Sequence, residues 1–286
     1  MKTLLYATDY SDNSAAALRY AFQLSKALQA RLVALHVFDY PTVLQTEVHE
    51  PFPHLEEDAF EEHQKKLRTF CDARLKDPGW EATVKLEVVE SKKVSEAVAD
   101  KALELGAYLL VVGMKGGSAL REFLMGNTTK KLIAEAPCPV LSVPEGTSFS
   151  GLDNIVYATD FEEEDIAVLE LLVALAAPLD ASVRALHIAC EKEFAGAQRK
   201  EWFTDRLKDL DYRKLSFEAK TSEDTFDTLR VFLGDHNADL VVMLEREKGS
   251  LLRRIFHRDM VQRMEAYGRI PLLAFHEKNF HREQRE

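Results

Sequence analysis

Three glycines, Gly113, Gly116 and Gly126, follow an apolar run in the stretch VVGMKGGSALREFLMGNTTKKLI (111–133). Gly113 ends that run, where a missing Cβ lets the backbone turn sharply or lets a ligand approach it. Gly116, with Gly117 beside it, keeps the next loop permissive. Gly126 directly precedes Asn127, Thr128 and Thr129, a polar cluster suited to capping a helix. Backbone N–H groups at a helix N-terminus, with hydroxyls alongside, are a ready site for phosphate. A strand end, a glycine loop and a helix start therefore predict a phosphate cradle, with Lys115, Arg121 and Lys130 to offset charge. The competing reading is a plain turn, for which glycines are equally suited.

The chain supplies its own control, because it is written twice. LYATD (5–9) returns as VYATD (156–160), Leu35-His36-Val37 as Leu186-His187-Ile188, and APCPVLSV (136–143) as GRIPLLAF (268–275). Features kept in both copies belong to the fold first, and features kept once are better candidates for function. Asp9 and Asp160 both survive, which suits a residue holding the turn after a first strand. His36 and His187 recur inside apolar runs and read as histidines satisfied by a hydrogen bond. The glycines do not recur. Leu244 or Glu245 stands for the first, Glu247 or Lys248 for the second and Arg258 for the third, and Asp259-Met260-Val261 replaces the cap cluster. Glu245, Glu247 and Asp259 oppose a polyphosphate there, while Arg246, Arg253, Arg254 and Arg258 work the other way. The second copy is not expected to hold a nucleotide in this manner.

The elements that must position these residues alternate in type. TLLYAT, RLVALHVF, TVKLEVVE, AYLLVVGM and PVLSVP read as strands, with helices between them at about 14–29, 55–75, 94–105 and 128–135. Asp12, Asn13 or Ser14 is the expected cap of the first helix, whose Leu18, Phe22, Ser25 and Leu28 form one stripe. Strands alternating with helices make a parallel sheet covered on both faces. The expected domains are 1–145 and 152–279, joined by the small polar stretch 144–151.

Composition narrows the function classes. A net charge of −11 argues against non-specific binding to nucleic acid or an anionic membrane. No apolar run approaches the ~18 residues of a membrane span. The opening MKTLLYATDYSD is too short for a signal peptide, and Cys71, Cys138 and Cys190 show no disulfide or metal spacing. A soluble cytoplasmic protein is expected. His49, His54 and His63 lie among acidic residues without ligand spacing, so no metal site is expected. No GxxxxGK[ST] loop, no GxSxG elbow and no carboxylate placed to activate water is legible, so no catalytic residue is assigned.

Together these residues make each half resemble a universal stress protein domain, and the whole chain a tandem member of that family. The family's nucleotide motif is a glycine, two residues, a glycine, nine residues, then a glycine followed by Ser or Thr. Gly113, Gly116 and Gly126 fit that spacing, with Asn127 in place of the Ser or Thr. The family often has a glycine after its third strand, where this chain has Ser91. The resemblance implies two Rossmann-like (adenine-nucleotide alpha-hydrolase-like) α/β domains, each a five-stranded parallel sheet flanked by helices, packed as an intrachain pseudo-dimer through 139–143 and 271–275. It implies ATP, or a related adenine nucleotide, with or without Mg2+, held by Ala7, Thr8, Asp9, Val37, Gly113, Gly116, Gly126, Asn127, Thr128 and Thr129. Binding without efficient hydrolysis is the expectation, and a homodimer is open. A scaffold that binds no nucleotide and a slow ATP hydrolase or phosphotransferase are the alternatives.

Overall fold

The computed structural model describes residues 1–39, 55–114, 127–189, 196–246 and 270–280. The first half runs β1 (Thr3–Thr8), α1 (Asp12–Ala27), β2 (Arg31–Phe38), α2 (Leu55–Arg74), β3 (Val84–Glu90), α3 (Val94–Glu104), β4 (Leu109–Met114), α4 (Asn127–Glu135) and β5 (Val140–Pro144). The second runs β6 (Asn154–Ala158), α5 (Glu163–Ala176), β7 (Ser182–Ala189), α6 (Gly196–Lys208), β8 (Leu215–Thr221), α7 (Thr225–Asp235), β9 (Leu240–Glu245) and β10 (Leu272–His276). Strands covered on both faces need apolar residues at every position rather than at alternate ones. That is why Leu4, Leu5 and Tyr6 are consecutive and all fully buried.

The described strands form one ten-stranded sheet in the order β3-β2-β1-β4-β5-β10-β9-β6-β7-β8. Within each half the strands are parallel. The halves meet at an antiparallel pair, with Leu272 opposite Ser142, Leu273 opposite Leu141 and Ala274 opposite Val140. This pairing covers two strand edges that would otherwise template association. One apolar core on each face runs across the join. Leu18, Phe22 and Leu67 share a cluster with Leu169, Leu172 and Phe203; on the other face Val98 and Leu132 share one with Phe226 and Phe232.

In the first half the chain leaves β1 toward β2 on one side and returns to β4 on the other. The crevice at the C-terminal ends of β1 and β4 is thus the topological switch point, where ligands of open α/β sheets bind. The second half repeats the arrangement with β6 and β9.

Candidate functional site

In the first half, register pairs Ala7 with Val112 and Thr8 with His36. Thr8 and Asp9 therefore end β1 beside Gly113, with Val37 one strand away opposite Val89. Asp9 is exposed, and its Oδ1 accepts the Ser11 N–H at 3.0 Å. That turn leaves Ser11 extended, so Ser11 caps α1 by accepting from Ser14 N at 3.3 Å. The cap lies one residue ahead of the expected Asp12, Asn13 or Ser14. Behind it is a closed polar chain: Tyr6 donates to the Ser14 carbonyl at 2.7 Å, and the Ser14 hydroxyl donates to Thr8 Oγ1 at 2.6 Å. Thr8 Oγ1 also accepts from Tyr10 N at 3.0 Å, so both acceptor positions of this hydroxyl serve the turn and its O–H is left to donate.

Gly113 has a reason that sequence alone did not supply. A Cβ there would meet backbone atoms of Asn13 and Ser14 at 2.7 Å. The glycine lets the N-terminus of α1 press against β4, which brings the positive end of the helix dipole toward the strand ends. Gly116 and Gly126 lie outside the described residues. Asn127, Thr128 and Thr129 form the first turn of α4 rather than its cap; Asn127 and Thr128 are exposed and Thr129 is buried.

The second half builds the same place differently. Register sets Gly113 opposite Val143 and Leu244 opposite Phe275, so Leu244 is the counterpart of Gly113. Asp165 stands where Ser14 does, fully buried. Its carboxylate accepts from the Tyr157 hydroxyl, from Thr159 Oγ1 at 2.9 Å, and from the backbone of Glu162 at 2.9 Å and of Asp160 at 3.2 Å. Arg246, the first residue after β9, reaches across with 2.9 Å to Asp165 Oδ1 and 3.0 Å to Asp160 Oδ2. Burial works against the guanidinium charge, but Asp165 and then Asp160 more than offset this and raise its pKa. The second crevice is thus bridged from β6 to β9 by an internal cation. Asp165 and Arg246 went unnoticed as a pair in the sequence; setting Ser14 against Asp165 and Lys115 against Arg246, copy against copy, is the signal that reveals it.

A family model described as the universal stress protein family matches residues 1–144, half of the chain. The chain belongs to the universal stress protein family. Over 145 residues, 49% of this chain and 97% of the relative, it is 32% identical to universal stress protein YxiE of Bacillus subtilis (strain 168). A universal stress protein structure from Archaeoglobus fulgidus DSM 4304 aligns with a TM-score of 0.69 and 15% identity, covering 96% of this chain and 98% of that one. A putative universal stress protein from Pseudomonas aeruginosa UCBPP-PA14 aligns at 0.59 and 14%, covering 99% and 97%. At these identities the likeness to the two structures is one of fold, and it extends through both halves.

Within this universal stress protein, several residues kept in both halves serve the fold. His36 Nδ1 lies 2.9 Å from the Thr8 carbonyl and His187 Nδ1 2.8 Å from that of Thr159. Tyr10 (φ 66) and Phe161 (φ 65) both occupy the left-handed region, a strain of about 1–3 kcal/mol for a non-glycine residue. Each lays its ring on the histidine of the next strand, at 4.2 and 3.8 Å between centroids. His63 stacks on Phe38 at 4.0 Å, while His49 and His54 lie outside the described residues. Among the described residues no three His, Cys, Asp or Glu side chains gather as metal ligands, and no helix is long and apolar enough to cross a membrane. Burial pushes the Cys71 and Cys138 thiols up to about 12, away from the reactive thiolate.

Proposed function

We propose that the first half, residues 1–145, binds ATP or a related adenine nucleotide, with or without Mg2+, and does not hydrolyse it efficiently. The second half, 152–279, is a structural and regulatory partner, and the protein is a cytoplasmic stress-response switch read through its bound state. One observation carries the reading: Thr8 and Asp9 end β1 beside Gly113 of β4 at the switch point, with the glycine motif of Gly113, Gly116 and Gly126 leading from there into α4. Val37 offers main-chain atoms on the neighbouring strand, and Asn127 and Thr128 offer exposed polar groups at the start of α4. Between β6 and β9 Arg246 takes the crevice instead, which supports one nucleotide per chain.

The test is calorimetric titration of ATP with magnesium into the wild-type chain and a Gly126→Arg variant. The expected result is close to one equivalent per chain, lost in the variant while the thermal midpoint of the free protein is kept. No heat and no thermal shift in the wild type overturns nucleotide binding and leaves a scaffold.

A further inference from the structure

A second cavity lies at the opposite end of the first half's sheet, at the seam between the halves. It has a volume of about 680 Å³ and opens among Lys2, Tyr108, Leu171, Phe275, Asn279 and Phe280. Lys2 and Tyr108 precede β1 and β4, so this place is remote from the crevice at their C-terminal ends. Its volume is that of a small-molecule site.

The internal repeat shows what the cavity lacks. Matching Tyr6 to Tyr157 and Ser14 to Asp165 sets Tyr20 of α1 on Leu171 of α5. Tyr20 is 2% exposed, while Leu171 is 42% exposed. In the first seam the Tyr20 ring meets Phe149 edge-on, at 5.1 Å and 90°, the arrangement an aromatic pair favours. Phe280 follows β10 as Phe149 follows β5; it lines the cavity with Leu171, which stands at the position of Tyr20, and its ring is stacked on Phe275 at 6.2 Å between centroids. One seam is closed by its own aromatic side chain, and its twin keeps the walls without the ring.

The polar groups are also exchanged. Asp239 lies near Tyr20, and its carboxylate accepts the N–H groups of Asp153 and Asn154 at 2.9 Å each. The counterpart of Asp239 is Tyr108, with the Lys2 ammonium 4.1 Å from its ring centroid. Among the described residues Lys2 donates one hydrogen bond, to the Ala174 carbonyl at 3.2 Å, and an ammonium has three donors. Asn279 Nδ2 is buried with no partner among the described residues, a state that costs free energy until an acceptor arrives. The first seam thus ends on an acceptor, and the second on two donors, one of them cationic, with the exposed Glu170 as the carboxylate on its lining.

We propose that this seam is a binding site for a small aromatic carboxylate. The ring lies against Phe280, where Tyr20 would lie in the twin seam, and the carboxylate accepts from Lys2 and Asn279. The site is independent of nucleotide binding.

The probes are 2-naphthoate and its neutral analogue 2-naphthylmethanol, each titrated by calorimetry into the full chain. Wild type is expected to bind 2-naphthoate once per chain, at least tenfold more tightly than the alcohol. Leu171→Tyr, which restores the ring of the first seam, is expected to abolish binding of both while keeping the thermal midpoint. Asn279→Leu is expected to weaken the carboxylate about tenfold and leave the alcohol unchanged, and it carries the test should the tyrosine variant not fold. No binding of 2-naphthoate at millimolar concentration, or equal binding by Leu171→Tyr, overturns the proposal. A fall in sedimentation mass with Leu171→Tyr also overturns it, in favour of a second copy of the chain as the occupant.

Discussion

The bridge in the second half makes a quantitative prediction. Arg246 has an 11% exposed side chain and Asp165 a fully buried one. Removing one partner of a buried pair costs about 3–5 kcal/mol, because the other charge is left without compensation. After Arg246→Met the Asp165 carboxylate still accepts from Tyr157, Thr159, Asp160 and Glu162, so the lower end, about 3 kcal/mol, applies. Asp165→Ser copies the first half and strands Arg246 with Asp160 alone, at a similar cost. The double variant removes both buried charges at once, and its cost should stay near 3 kcal/mol rather than 6, a coupling of about 3 kcal/mol. Urea unfolding of the four proteins, followed by circular dichroism, reads this directly. Additivity within about 0.5 kcal/mol, the behaviour of independent sites, would refute the claim that Arg246 and Asp165 form one unit.

Two further predictions concern the first half. Gly113→Ala should cost about 1–3 kcal/mol, because its Cβ meets backbone of Asn13 and Ser14 at 2.7 Å, whereas Gly79→Ala, whose Cβ meets only the Asp77 side chain at 3.5 Å, should change the urea midpoint little. Equal midpoints for the two variants would sink the close-approach account. Burial lowers the pKa of His36, against its bond to the Thr8 carbonyl and the charge of Asp9, with His63 and Lys66 adding to the depression. The unfolded chain then takes up the proton first, so stability is present above the ordinary histidine value and is lost as pH falls below it toward the folded pKa. Urea midpoints at pH 7.5 and 5.5 should differ more for wild type than for His36→Asn, and an equal difference would remove His36 from the acid response.

The strands, their order of appearance and the doubling of the chain were legible because buried parallel strands write continuous apolar runs and because the two halves can be read against each other. The glycine at 113 was legible as special, but its cause was not. Nothing in local sequence says that the backbone of Asn13 and Ser14 lies 2.7 Å from where its Cβ would be, since that contact joins elements a hundred residues apart. Cap positions slipped for a similar reason: Asp9 takes the Ser11 N–H and so moves the start of α1 to Ser11. Arg246 was visible as a charge but not as a bridge, because its partners Asp160 and Asp165 are set by the β6–β9 register. The seam cavity was out of reach altogether, as it depends on which half supplies a ring at a surface that neither half forms alone.

The two asymmetries point the same way. At the crevice, the second half supplies its own occupant, the Arg246 guanidinium held by Asp160 and Asp165. At the seam, the first half does so, with Tyr20 against Phe149. A duplicated fold has each kind of surface twice, and here one of each is closed by the chain itself. The closed copy shows the size and charge of what fits: a cation beside two carboxylates in one case, a ring against phenylalanine in the other. At the seam, Phe280 recurs for Phe149 while Leu171 replaces the Tyr20 ring and Tyr108 replaces the Asp239 carboxylate. The crevice differs in kind. There Ser14 replaces Asp165, which removes the buried carboxylate that made an internal cation necessary, and Gly113 replaces Leu244 beside the ends of β1 and β4. Loss of the buried carboxylate and the close approach of the α1 N-terminus to β4 that Gly113 allows both favour an anion there under the proposed function, and they occur in the half that carries the glycine motif.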